Sequence, residues 1–599
     1  MKEQIDENKA LYKQLRKRSC QELWAEAAIF DAATPDERQK KVSLIRAVGV
    51  VFSELGTVEE KEKARVWVRA LLRDPEEKVR RYAMAALPKL GPGSAADEAE
   101  LLSLLQRTTS GREQKFLGRS LDKIGGKTTL ATIGSQENSF LQTTQKIKAS
   151  LAREEGGSSV RLDVVPAKFK DLLIHLRGRS GLEKFVRDEL LESQALAQKF
   201  TIQEVESGLV ALRPLKPFTL GDLYTLRCMG SVAFVLGQVP GGSGPETVES
   251  MASLITCPIA RAIMTSLTQG SARYRLDFIG KGHQRSLVRS VAVRAYELSR
   301  EVLNDSHSAP WAVNVYTVGR KCSLELAPKL TEPRFLYRVE DVPAASHPPL
   351  AACMARLAGS GNGEIIWDPF CGSGLELIEK SLLGGVRTAI GTDRSAEAVR
   401  ACEKNFSAAG LGAVEPRFIC DDFRNYSRIE FLKPGSVDLI ITNPPMGKRV
   451  PVGDLRRLIQ DLFRAAAEVL RPGGRLVFAN PVWAENPHPS LRLQFRQVVD
   501  FGGFDCRLEK YVKAIPALAT KPIRPVNRRE DRPNPTGLAP RHSNNRNNRH
   551  GCIKPASSPR EERAGRGTRR GASTRTRILS PPSPSCDGGE GEKPSLMQP

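Results

Sequence analysis

The chain has 599 residues, too many for one ordinary domain, and carries 91 Lys and Arg against 68 Asp and Glu, a net charge of +23. That surplus points to a polyanionic partner, to a basic tail, or to both, although added charge can also serve solubility alone. Eleven cysteines without a Cys-x-x-Cys pair and seven dispersed histidines argue against a disulfide scaffold and against a zinc site, so no metal is expected.

The start, Met1-Lys-Glu-Gln-Ile-Asp-Glu-Asn, is charged and partly acidic, unlike a secretory signal or a transit peptide. No apolar run approaches the roughly 18 residues that a membrane span needs. A soluble, cytoplasmic protein with reduced thiols and no membrane partner is the expectation.

Residues 1–130 read as helices. From Asp74 to Gly91, the apolar residues Val79, Tyr82, Ala83, Ala86, Leu87 and Leu90 recur at three- and four-residue steps. Asp74 is placed to cap that helix, Pro75 suits its first turn and Gly91 ends it. A preceding helix, Glu59 to Leu72, joins it through a short turn, and the pair resembles a HEAT-type repeat. Such a solenoid offers a face to a protein partner. An ordinary helical bundle is the other reading.

Residues 131–165, rich in Thr, Ser, Gln and Gly, are expected to be a linker. From 166 to 335 the pattern becomes mixed. Leu172 to Leu176 is a short strand, Gly181 to Leu191 an amphipathic helix, and Val205 to Leu212 alternates like a single strand. Tyr274 to Phe278 and Val313 to Val318 read as strands around a helix from Arg289 to Leu303. The expectation is an α+β domain.

Residues 336–515 alternate strand and helix. Glu364 to Asp368 is a buried strand ending in a carboxylate, followed by Asp368-Pro-Phe-Cys-Gly-Ser-Gly374. Gly372 and Gly374 permit a tight turn and close backbone approach to a bulky cofactor before the helix Leu375 to Leu383. A second strand, Arg387 to Gly391, leads to Asp393, 21 residues beyond Gly372. An acidic side chain at about that spacing reaches a ribose hydroxyl pair; capping the helix Ala396 to Phe406 is its alternative role. After the strand Glu415 to Cys420, a carboxylate at Asp422 is placed to accept a hydrogen bond from an adenine amino group, with Asp421 read as a turn residue.

The strand Val437 to Thr442 delivers Asn443-Pro-Pro-Met446. Two prolines fix the backbone and leave the Pro444 carbonyl without a competing local donor. The Asn443 amide oxygen and that carbonyl can each accept one hydrogen from a planar amine, which aims the nitrogen lone pair at an electrophile. A helix Leu455 to Leu470, a turn Arg471 to Gly474, a strand Arg475 to Ala479, a helix Ser490 to Val498 and a last strand pair from Phe504 to Val512 complete the alternation. Residues 516–599 collapse into Arg, Asn, Ser, Pro and Gly. Within them, positions 521–599 hold 17 Lys and Arg against 7 Asp and Glu and supply +10 of the net charge. This tail is expected to be disordered and either a bystander or an RNA-binding extension.

In these motifs, residues 335 to 512 resemble the THUMP-associated and related class I RNA methyltransferases that form N2-methylguanosine. Asp368, Phe370, Cys371, Gly372, Ser373 and Gly374 match their first motif, Asp393 the second, Asp422 the third, and Asn443, Pro444, Pro445 and Met446 the catalytic turn. The lead-in from Tyr337-Arg338 to Ser346-His-Pro-Pro-Leu-Ala351 resembles the segment that closes one side of the cofactor site. Residues 170 to 335 are similar to the RNA-recognition half, through Gly181-Leu-Glu and Leu226-Arg-Cys. Two positions depart from the pattern: Leu375 stands where the family has Thr, and Met446 where it often has an aromatic. A thioether can lie against a base but gives no full stacking. Lys448-Arg449 either contacts a flanking phosphate or is a solvated pair.

The resemblance implies a Rossmann-like domain binding S-adenosylmethionine and methylating guanine N2 in RNA, with tRNA the expected substrate. Asn-Pro-Pro serves an adenine N6 amine equally, so an RNA or DNA adenine methyltransferase is the alternative. An RNA-binding scaffold without catalysis is the rival from another class.

Overall fold

The computed structural model describes residues 2–134, 140–282, 284–343, 345–447, 453–483 and 488–515, and the elements up to Ala514 belong to one unit. The basic tail and Lys448-Arg449 lie outside the described residues.

The N-terminal arm is helical because the same start signal recurs along it. Ser19 and Glu22, Thr57 and Glu60, and Ser94 and Asp97 form reciprocal capping boxes ahead of helices Cys20–Ala32, Val58–Ala70 and Ala95–Arg107. Helices Ser43–Leu55, Glu77–Ala86, Gly111–Ile124 and Leu141–Glu154 pack successively against one another. Gly49 permits that approach, since a Cβ there would lie 2.8 Å from Ala86 Cβ. Asp74 does not cap the helix expected after it. The helix begins at Glu77, while Asp74 accepts the Glu76 amide at 2.8 Å and pairs with Arg38 at 3.0 Å.

The expected linker at 131–165 is corrected by the structure. Leu141–Glu154 is a helix, and its Leu141 and Ala149 are buried with Tyr296 and Leu303 of the following domain. Arg153 adds an ion pair with Asp305 at 2.9 Å. Polar composition concealed an element whose buried face is met only in three dimensions.

The second region holds ten strands: β1 (Ser159–Val160), β2 (Ile174–Arg177), β3 (Phe200–Glu206), β4 (Leu209–Pro214), β5 (Ser231–Pro240), β6 (Thr268–Gln269), β7 (Arg273–Phe278), β8 (Leu303–Asn304), β9 (Trp311–Val318) and β10 (Lys321–Pro328). Eight of them form one sheet in the order β3-β4-β2-β5-β10-β9-β7-β8, and β1 pairs with β6. The single strand expected at Val205 to Leu212 is two, β3 and β4, because Gly208 turns the chain at φ +74° and brings Val205 opposite Val210. The helix expected from Arg289 runs over Arg285–Leu298.

The third region is a seven-stranded sheet of β11 (Glu364–Asp368), β12 (Val386–Asp393), β13 (Glu415–Cys420), β14 (Val437–Thr442), β15 (Leu470–Asn480), β16 (Leu491–Asp500) and β17 (Asp505–Lys513). Its order is β13-β12-β11-β14-β15-β17-β16; the first five strands are parallel, and β17 is antiparallel to both neighbours. Strand order reverses between β11 and β14, so the carboxyl ends of these two strands flank the crevice in which such sheets bind ligands. Arg471 to Gly474, expected as a turn, bulges out within β15 and shifts its register against β14.

The helix expected at Ser490 to Val498 is the strand β16. Leu491, Phe495 and Val499 recur every four residues, a step that fits one face of a helix and one face of a strand alike. The turn at Gly502-Gly503 and the pairing with β17 decide for the strand. Here the two domains meet. Asp500 N donates to Ser180 O at 3.0 Å, and Phe185 packs edge-on against Phe495 at 6.0 Å. Gly181, at φ +92°, leaves no room for a side chain beside the Val498 carbonyl.

Candidate active site

Asp368 ends β11 completely buried. Its Oδ1 accepts from Phe370 N at 3.0 Å and from the Thr442 hydroxyl, which ties the turn after β11 to the last residue of β14. Burial, with Glu376 nearby, pushes this carboxyl well above the usual range. Its Oδ2 is buried and has no hydrogen-bond partner among the described residues.

The turn that follows has a glycine for each task. Gly374, at φ +85°, sits against the helix Ala396–Ala408, and a Cβ there would lie 2.6 Å from Cys402 Sγ. Gly372, at φ +50°, faces open space, with the nearest atoms, Phe370 O and Val342 Cγ2, 3.9 and 4.0 Å from where a Cβ would be. Gly372 N donates to Asp393 Oδ2 at 3.1 Å, and Cys371 N donates to Thr392 O at 3.0 Å. Ser373 is buried and its Oγ has no partner among the described residues. Leu375, where a Thr hydroxyl was noted as missing, is 1% exposed and part of the apolar core.

Asp393 is half-buried at the end of β12. Its Oδ1 accepts from Ser395 N at 2.9 Å, while the cap of the helix Ala396–Ala408 is Ser395. Each Asp393 oxygen thus keeps acceptor capacity beyond its one backbone donor. Asp422 is more committed: it accepts from Arg424 N at 3.0 Å and pairs with the Arg424 guanidinium at 3.1 Å. An adenine amine there would share Asp422 with Arg424. Asp421 is held by Asn425 and by the Asp422 amide, which lower its pKa. Phe370 and Phe423 lie 4.7 Å apart with planes at 57°, an apolar wall beside Asp422.

Asn405, which sequence reasoning passed over, completes this half together with Tyr337 of the lead-in segment. Asn405 is fully buried: its Oδ1 accepts from Val339 N and Glu340 N, both at 2.9 Å, and its Nδ2 donates to Glu340 O at 2.8 Å and Ser373 O at 2.9 Å. It clasps the lead-in segment against the glycine turn. Tyr337 holds the same segment from the other side, donating to Glu379 at 2.6 Å.

Asn443 follows β14 directly. Its Nδ2 donates to Ser346 Oγ at 2.8 Å, and Ser346 in turn donates to Glu376, which is 3% exposed. Asn443 Oδ1 is buried and accepts from none of the described residues. Pro444 is buried and Pro445 half-buried. Met446 places its sulfur 3.8 Å from Cys506 Sγ at the start of β17. Arg507, next to Cys506, lies 5.3 Å over the ring of Trp483, which is 61% exposed. Sequence reading missed Trp483, although an isolated Trp just beyond a strand at this end of the sheet was a usable signal. Among the described residues, no three His, Cys, Asp or Glu side chains are placed to hold a metal ion.

A reversed-order parallel sheet with its glycine turn, half-buried carboxylate and Asn-Pro-Pro turn all at the carboxyl ends defines a class I methyltransferase domain. Residues 336–488 match the family described as RMKL-like, methyltransferase domain, UPF0020. The tRNA (guanine(10)-N2)-dimethyltransferase of Methanothermobacter thermautotrophicus is 33% identical over 141 residues, 23% of this chain and 39% of that protein. The U6 snRNA (guanine-N(2))-methyltransferase THUMPD2 of Homo sapiens is 33% identical over 130 residues, 21% of this chain and 24% of that protein. The chain thus spans well under half the length of these curated relatives. The crystal structure of TrmN from Thermus thermophilus is similar at 21% identity with a TM-score of 0.44, covering 57% of this chain and 99% of that one.

Proposed function

We propose that the chain is an S-adenosylmethionine-dependent RNA methyltransferase that forms N2-methylguanosine, with tRNA as substrate. The observation that carries this reading is Asn443 Oδ1, a buried acceptor left open beside the glycine turn. Buried polar atoms rarely go unpaired, and an incoming amine would satisfy this one. The relatives, named as guanine-N2 methyltransferases of tRNA and U6 snRNA, support guanine as the base.

The residues fit the cofactor. Gly372 leaves room for it, Asp393 has acceptor capacity for its ribose, and Phe370 with Asp422 offers a wall and an acceptor for its adenine. When bound, it would supply a methyl group on a sulfonium: the amine nitrogen's lone pair would form the N–C bond as the C–S bond breaks with its electrons left on sulfur, and one N–H proton would pass to water. Asn443 Oδ1 and the Pro444 carbonyl accept the two amine hydrogens, localise the lone pair and aim it. No general base is needed; positioning and exclusion of water carry the rate.

RNA is supported by charge as well. Arg46, Lys89 and Lys123 are exposed on neighbouring segments of the arm without an acidic partner among the described residues. Partial burial, together with Arg46 and Lys123, pushes the Lys89 ammonium down. Such a cluster suits phosphates better than it suits a protein partner of ordinary charge. Cytoplasmic residence belongs to the same proposal and is checked by fractionation.

The test is transfer of labelled methyl from S-adenosylmethionine to RNA from cells lacking the gene, with nucleoside digestion. N2-methylguanosine is expected. N6-methyladenosine would overturn the base, and no transfer to any RNA would leave the scaffold reading.

A further inference from the structure

The terminal amide of an asparagine has two nearly equivalent orientations, related by half a turn, that exchange its oxygen and its nitrogen. For Asn443 the two are chemically opposed. With Oδ1 toward the crevice, the side chain accepts a hydrogen from an amine. With Nδ2 toward it, two donors face each other and the amine is repelled. Something must therefore choose, and the choice lies outside the Asn-Pro-Pro turn.

Ser346 stands 97 residues earlier in the chain and touches the amide through one bond, Nδ2 to Oγ at 2.8 Å. A serine hydroxyl has one hydrogen and two acceptor sites. That hydrogen goes to Glu376 Oε1. Ser346 is then left with acceptor sites only, so it takes the Asn443 nitrogen and leaves the oxygen facing the open site. Glu376 is 3% exposed and lies in the first turn of helix Leu375–Leu383, directly after Gly374. The same short stretch thus turns the chain at the cofactor side and polarises the group on the substrate side. His347, next to Ser346, is half-buried and held neutral, its pKa lowered to about 3 by desolvation and by Arg179, Arg338 and Arg334, so it places no cation beside the amide.

We infer that Ser346 and Glu376 are positioning residues for methyl transfer: Glu376 orients the Ser346 hydroxyl, and Ser346 locks the Asn443 amide with its oxygen toward the incoming amine. This rests on the proposed reaction and assigns part of its rate to two residues that act through Asn443. Loss of the lock lets the amide turn, which lowers the fraction of productive complexes without altering the cofactor's surroundings. Ser346→Ala should reduce kcat about ten- to a hundredfold, the scale of a misplaced reacting group.

The experiment is a double-mutant cycle in the full chain. Wild type, Ser346→Ala, Asn443→Ala and the double variant are assayed for labelled methyl transfer to RNA from cells lacking the gene. S-adenosylmethionine affinity is measured in parallel by calorimetry. The expected result is a fall in kcat for Ser346→Ala with cofactor affinity within about twofold of wild type, and no further fall when Ser346→Ala is added to Asn443→Ala. Ser346→Thr, which keeps the hydroxyl, should restore most of the rate and guards against a folding defect. Full activity in Ser346→Ala, additive losses in the double variant, or a parallel loss of cofactor affinity would each overturn the positioning role. A wild-type chain that transfers no methyl group would sink the proposed reaction, and the inference with it. Full activity in Asn443→Ala beside an impaired Ser346→Ala would leave methyl transfer standing and remove only the amide lock.

Discussion

Replacement of Asp393 by Ala tests the cofactor half of the site. The side chain has two duties in the structure. Its Oδ2 takes Gly372 N at 3.1 Å and its Oδ1 takes Ser395 N at 2.9 Å, which shapes the turn; the remaining lone pairs are the acceptors the proposed function assigns to a ribose. Hydrogen bonds to a charged acceptor contribute roughly 1.5–3 kcal/mol each. Losing one net ribose bond of that kind weakens S-adenosylmethionine binding roughly 10- to 150-fold, at about 1.4 kcal/mol per decade. The two backbone donors freed by the change lie in a half-buried region, where water can replace the carboxylate, so the fold should survive. Asp393→Asn separates the duties, since its oxygen still accepts one hydrogen while its nitrogen cannot; an intermediate affinity is expected. Calorimetric titration reads both variants, with thermal melting as a control for the turn. Wild-type affinity in Asp393→Ala would refute the ribose role and reduce Asp393 to a structural tie between two strand ends.

Gly374→Ala should destabilise the domain by about 2–5 kcal/mol, from about 1–2 for a side chain at positive φ and about 1–3 for overpacking against Cys402; a shift of the urea midpoint at constant slope reads it, and an unchanged midpoint argues against that packing. Asp368 has its pKa raised on folding, so its contribution is complete below the unfolded value of about 3.9 and is lost as pH rises through the folded value. Asp368→Asn cannot ionise yet can still accept from Phe370 N and Thr442, so its melting temperature should gain on wild type as pH is raised from about 4; parallel curves for the two proteins would show that the carboxyl is not desolvated. Deletion of residues 521–599 removes +10 of charge and should flatten the salt dependence of RNA binding without changing the modified nucleoside. An identical salt slope in the shortened chain would make the tail a bystander.

Much of the methyltransferase domain is legible in contiguous residues, for a local reason. β11, β13 and β14 occupy the spans read from their apolar runs, and the glycine turn and the Asn-Pro-Pro turn fall at their ends. Strand, turn and helix start are short-range matters of periodicity, φ preference and missing donors, all written within about ten residues. Asp393, 21 residues beyond Gly372, meets it in a direct hydrogen bond that the spacing did not foretell.

What the chain alone left open depends on partners far away in sequence. A four-residue apolar step could not distinguish β16 from a helix until β17 supplied a pairing edge. The polar stretch at 141–154 became a helix because Tyr296 and Leu303 bury its apolar face. The orientation of Asn443 is set by Ser346, the depth of the glycine turn by Asn405, and the coupling of β11 to β14 by Thr442 and Asp368. Sequence by itself determined which residue types reach the carboxyl edge of the sheet. Tertiary structure decided which way their donors and acceptors point, because hydrogen-bond polarity belongs to the network of neighbours and not to the motif.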